Sequence, residues 1–300
     1  MGRPAPDTRW ATPSRWPRSV ASAPAVRVGR IPYVNCYPVY GAIDRGIVPL
    51  AATVVDGVPT ALNRLMAAGG LDVSVVSAVE YARDAERYLL LPDLAISCDG
   101  PVRSVMLFAK RPAEDLSGRR VLVSRSSMTS VALLELLFRH VWRSRPAFVA
   151  GDAELSDVAR FADEEHEARL VIGDAALLLT GRRDESYPFA YDLGLEWKRW
   201  TGLPFVFAVW VAQRATAAAQ ALRVHASLVA SRDWGVDHLE PLAAQAAAAT
   251  GVPQASCLEY LSGLDYGLSY GHIAGLTEFY RRLVVAGQVP DGTLAFLPAA

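Results

Sequence analysis

The chain has 300 residues, 52% of them hydrophobic, enough for one large core or two modest ones, and its length favours about two domains. Thirty basic residues oppose 31 acidic ones for a net charge of -1, with no block of like charge, which argues against a phosphate-binding stripe and a nucleic-acid partner. No run of about 18 uncharged apolar residues occurs, so no membrane span is predicted.

Residues 1–24 carry Arg, Pro and Ser but no apolar run of the kind a secretory signal needs, and are expected to form a disordered tail. Cys36, Cys98 and Cys257 lie far apart without metal-type spacing, which fits a reduced, cytoplasmic protein. Lys110 and Lys198 are the lysines, so the basic residues are almost all arginine, a composition bias rather than a recognition surface.

The first element, "VRVGRI", is a buried strand that breaks at Pro32; Tyr33, Val34, Asn35 and Cys36 then lead into a helix. An amide at the carboxyl end of a first strand stands where open α/β sheets bind ligands, although Asn35 can equally cap a helix or hold a turn. "AATVV" and "LDVSVVS" follow as strands, and Ser77 with Glu80 three residues on forms a capping-box pattern. After "YLLLPDLAIS", the turn signal Asp99-Gly100-Pro101 leads to Ser104, at the start of the apolar strand 104–110. In "VLVSRSSMTSVALLELL" a buried strand feeds a hydroxyl-rich loop and an apolar helix. Ser127, Thr129 and Ser130 gather at its first turn, a carboxylate cradle made without lysine. The strand "AFVAG" comes next, and then "LVIGDAALLL" repeats the strand-to-helix logic, with Gly173 for close backbone approach and Asp174 as a helix cap or ligand contact. Strand 204–212 is long and apolar, and from about 214 onward alanine-rich helices run to "LTEFYRRLVVAG", whose glycine stops the last one.

Alternating strands and helices with Gly, Pro, Ser and Asp at the junctions define an α/β class with mostly parallel sheets. Strands 104–110 and 204–212 bracket a self-contained unit and read as crossovers. The expected organisation is one lobe from residues 25–111 and 206–300, a second lobe at 112–205 inserted into it, and a ligand cleft between them. His140, His166, His225, His238 and His272 all fall away from the cleft junctions, and no Walker loop, GxGxxG or nucleophile elbow occurs. No metal and no cofactor is implied.

Six stretches, "VGRIPYVNCYPVY", "VVSAVEYA", "DGPVRSVMLFAK", "SRSSMTSVALLELL", "VIGDAALL" and "LGLEWKRWTGLPFVFAVW", together resemble the chorismate dehydratase family of the futalosine route to menaquinone, from about residue 26 to 285. The resemblance implies a type II periplasmic-binding-protein fold. It also implies that the small-molecule partner is chorismate, dehydrated to 3-(1-carboxyvinyloxy)benzoate. On it, Ser127, Thr129 and Ser130 hold a substrate carboxylate, Ser104 makes a second polar contact, and Ser77, Gly173 and Asp174 complete the binding wall. Asn35 stabilises the enolate-like intermediate or assists departure of the hydroxyl. Trp197 and Trp200 read as packing between the lobes or, alternatively, as an aromatic wall for the substrate ring. A solute-binding protein of the same fold is an alternative, as is the later paralogue that makes 1,4-dihydroxy-6-naphthoate, for which a cleft histidine base is expected.

Overall fold

A computed structural model describes residues 25–125, 127–151, 165–181 and 185–298, so the expected tail at 1–24 lies outside the described residues. Strand β1 (Val26–Arg30) passes through a 3-10 turn at Val34–Cys36 into helix α1 (Tyr37–Asp44). There follow β2 (Ala52–Asp56), α2 (Pro59–Ala67), β3 (Val73–Ser77), α3 (Ala78–Arg83) and β4 (Tyr88–Cys98). Proline in the first turn of α1 and of α2 presets φ where the amide would be unpaired anyway. The second part contains β5 (Val105–Ala109), β6 (Arg120–Ser124), α4 (Met128–His140), β7 (Ala147–Gly151), β8 (Ala168–Ile172), α5 (Gly173–Thr180), β9 (Phe189–Asp192) and α6 (Leu193–Thr201). The chain then returns through β10 (Phe205–Gln213) to α7 (Ala218–Asp237), α8 (Leu239–Thr250), α9 (Gln254–Ser262) and α10 (Tyr270–Val285).

These strands form two sheets of five, ordered β2-β1-β3-β10-β4 and β7-β6-β8-β5-β9. In the first sheet β1 pairs in parallel with β2 and β3, and in the second β6 with β7 and β8, while the strand that follows each crossing, β10 in the first and β5 in the second, pairs antiparallel to its neighbours. Strands β3, β5 and β8 are buried at every residue, as expected for sheets covered by helices on both faces. Helix α10 ends two residues before Gly287, whose φ of 69° supplies the left-handed turn that stops it.

Strand β5 belongs to the second sheet, and the chain crosses between the lobes at 99–104 and again at 202–204. This corrects the expected boundary at 111: residues 104–110 and 204–212 are long and apolar because each is an inner strand of one sheet, not a link between two. The first crossing is strapped by Asp192, whose carboxylate accepts the backbone N–H groups of Val102 (2.9 Å) and Arg103 (2.6 Å) while also capping α6 through Leu195 N–H (3.1 Å). Arg103 there has a φ of 61°, a left-handed conformation that this strap helps to hold. Burial pushes the Asp192 carboxyl above its ordinary range, against the pull of the backbone N–H groups bonded to it. Among the described residues, no helix is long and apolar enough to cross a membrane.

Candidate active site

The carboxyl ends of β1, β3, β6 and β8 and the amino-terminal parts of β5 and β10 meet at a cavity of about 70 Å³. The first lobe contributes Asn35 and Ser77; the second contributes Ser127, Thr129, Ser130 and Gly173, and Ser104 stands at the crossing. Seven of the eight residues singled out from sequence therefore come together, from segments more than a hundred positions apart. Asp174 is the exception and does not line the cavity.

Asn35 sits in the 3-10 turn between β1 and α1, and it caps neither: Tyr33 and Cys36 hold the cap positions, and neither makes a side-chain cap bond. Its Oδ1 is buried without a hydrogen-bond partner. A desolvated acceptor left unpaired costs on the order of 1–3 kcal/mol, so local structure gives no reason for an asparagine at this place.

Ser77 corrects the capping-box expectation. It occupies the N-cap of α3 but makes no side-chain cap bond there. Its Oγ instead accepts from Asn63 Nδ2 (3.2 Å), and its own N–H donates to Asn63 Oδ1 (3.2 Å). Glu80 is turned away to accept the Tyr88 hydroxyl (3.3 Å), and burial raises its carboxyl above the ordinary range.

At the start of α4 the hydroxyls divide their work. Ser127 is the N-cap, accepting Ser130 N–H (3.2 Å) and donating to Ser130 Oγ (2.7 Å). Thr129 Oγ1 accepts Val79 N–H (3.2 Å), which ties α4 of the second lobe to α3 of the first. Each arrangement leaves the hydroxyl proton of Ser130 and of Thr129 as a donor. Together with the positive end of a 13-residue helix, the cluster favours an anion. Ser104 Oγ accepts from Tyr260 Oη (2.8 Å), a phenol whose burial raises its pKa strongly and keeps it protonated as a donor.

Gly173 has a φ of 63°, and a Cβ there would stand 3.2 Å from the Tyr33 ring across the cleft. Asp174 does not cap α5, whose N-cap is Ile172 with no side-chain bond. Its Oδ1 accepts Val34 N–H of the opposite lobe (3.1 Å).

The aromatic part of the wall is made by Tyr33 and Phe207, which sequence reasoning missed; the alternation of bulky residues in β10 was the available signal. Trp197 is fully buried, donates to Pro204 O (3.1 Å) and stacks edge-on with Phe205 and Phe279 of the first lobe. Trp200 lies under the Arg282 guanidinium at 3.8 Å. Both tryptophans thus join the lobes away from the cavity. Among the described lining residues there is no carboxylate, imidazole, amine or guanidinium. The wall can hold an anion with neutral donors, orient a hydroxyl and exclude water.

The sequence pattern of the menaquinone biosynthesis family matches residues 26–284. Over 243 residues the chain is 31% identical to the chorismate dehydratase of Thermus thermophilus, covering 77% of this chain and 86% of that protein. Among solved structures, protein AF1704 of Archaeoglobus fulgidus superposes with a TM-score of 0.72 at 18% identity, over 88% of this chain and 98% of that one. The alkanesulfonate-binding protein SsuA of Xanthomonas axonopodis follows at 0.63 and 17% identity, over 92% and 98%. These likenesses give the fold, two α/β lobes closing on a cleft as in periplasmic binding proteins. With the pattern running from the first strand to the end of the last helix, the chain belongs to the menaquinone biosynthesis family.

Proposed function

We propose that the protein is a chorismate dehydratase, removing water from chorismate to give 3-(1-carboxyvinyloxy)benzoate without a cofactor. The proton on ring C3 is acidified through the conjugated ring carboxylate, so its loss leaves the electron pair in an extended enolate. Expulsion of the C4 hydroxyl then completes the aromatic ring, which supplies much of the driving force. The protein's task is to hold two carboxylates, stabilise the developing charge and keep water out.

The observation that carries this reading is the buried, unpartnered Oδ1 of Asn35 in the cavity. Chorismate brings a donor to it in the C4 hydroxyl, and the amide Nδ2 is then directed at the enolate. The α4 hydroxyls of Ser130 and Thr129 take one carboxylate, and Ser104 makes a second polar contact. No described lining residue is a ready general base. The enolpyruvyl carboxylate of the substrate therefore accepts the C3 proton and returns it to the departing hydroxyl, so that atoms and charge balance as water leaves. Chorismate is a cytoplasmic metabolite, and three buried, unpaired cysteines suit a reducing compartment.

The test is to mix purified protein with chorismate, without added metal or cofactor, and follow products by chromatography and mass. Loss of one water to an aromatic enol ether is the expected result. Unchanged chorismate, with tight binding of another small anion, would assign the cleft to solute binding instead.

A further inference from the structure

The Asn35 side-chain oxygen has no hydrogen bond to hold it, so the aim of its amide depends on the backbone of the Val34–Cys36 turn. The first amide of that turn is fixed from across the cleft, by Asp174 Oδ1 at 3.1 Å from Val34 N. The adjoining residue binds the other side of the site: Gly173 N–H donates to the carbonyl of Ser104 (2.8 Å). The same glycine lies against the Tyr33 ring, immediately before the turn. One junction, Gly173–Asp174, thus bonds the backbone of Ser104 and of Val34, the residue next to Asn35. Asp174 does not cap its own helix and does not line the cavity.

We infer that Asp174 is a positioning residue: by accepting Val34 N–H when the lobes are closed, it sets the turn that aims Asn35 at the reacting atoms. The inference rests on the dehydratase reading for its kinetic consequence, but not for the contact itself. Because the bond joins two lobes, it forms only on closure, and it couples closure to assembly of the site.

The experiment compares wild type, Asp174→Ala and Asp174→Asn by steady-state kinetics with chorismate, and by amide exchange of Val34 with and without the benzoate product. Asp174→Ala is expected to lower kcat about ten- to a hundredfold, the range for losing one hydrogen bond to a charged acceptor, with KM changed less than about threefold. Asp174→Asn keeps an acceptor oxygen and is expected to stay within about threefold of wild type. Val34 should exchange faster in the alanine variant alone, while the amides of α5 and β8 remain protected. The inference is overturned by an alanine variant with wild-type kcat, by a rise in KM at constant kcat, or by unchanged Val34 exchange. Loosened α5 amides without rescue by asparagine would overturn it too, since that is the mark of a merely structural aspartate. If wild type leaves chorismate intact, the dehydratase reading fails, and Val34 exchange alone decides for or against the contact.

Discussion

At the scale of single residues, Asn35 and Tyr260 make different demands on the site. Asn35→Ala removes the amide proposed above to face developing charge, and a lost donor of this kind typically costs on the order of 10²–10³ in kcat. The expected outcome is that fall in turnover, measured by product formation, with chorismate affinity kept within severalfold by titration; an unchanged kcat would remove Asn35 from the chemistry. Tyr260→Phe deletes the hydroxyl that donates to Ser104 Oγ and leaves a buried serine with one bond fewer. A loss of about 1 kcal/mol in unfolding free energy is expected, with a few-fold drop in kcat/KM. The two residues also differ in how visible they were. Asn35 stands next to the first strand end, where a reader of the sequence looks for ligand contacts. Tyr260 lies 156 positions from the serine it serves, on a helix whose apolar pattern says only that it is core.

Elements follow the same division. The apolar runs located every strand of the first sheet and four of the second; β3, β5 and β8 are fully buried and so nearly continuous in apolar residues, while β2 and β7 are only partly buried yet keep short apolar runs. Strand β9 escaped notice: it has only four residues, one of them exposed and three half-buried, so it lacks both length and alternation. The Ser77–Glu80 capping box misled for a related reason. The local spacing is right, but Asn63 and Tyr88 offer buried partners that outcompete the cap. The α4 start was legible, and Ser127 caps as its position suggests. Gly173 gives the sharpest prediction at this scale. Alanine there pays a left-handed backbone cost of about 1–2 kcal/mol and crowds the Tyr33 ring at 3.2 Å. Gly173→Ala should lower the melting temperature by several degrees and weaken activity more than stability, as the lobes no longer meet at that point. A variant as active as wild type would mean that the close approach is dispensable.

For the whole molecule, a cavity of about 70 Å³ falls far below the roughly 300–1,000 Å³ usual for ligand pockets, so the described state is a closed one. If chorismate enters by parting of the lobes, small-angle scattering should report a smaller radius of gyration when ligand is added than in its absence. Identical curves would argue for a rigid cleft. Burial also silences the thiols: Cys36 is pushed up to about 12, first by desolvation and then by the Asp174 charge, and Cys98 and Cys257 are raised as well. Native protein at pH 8 should therefore resist a thiol reagent until unfolded; rapid labelling of Cys36 or Cys98 would contradict the packing. The placement of β10 in the middle of the first sheet carries one more consequence. During synthesis the strands β1 to β4 leave the ribosome early but lack the strand that joins β3 to β4, whereas all five strands of the second sheet lie between Val105 and Asp192. The inserted lobe can complete its sheet first, and the lobe that begins the chain has to wait for Phe205–Gln213 before it can close around its own core.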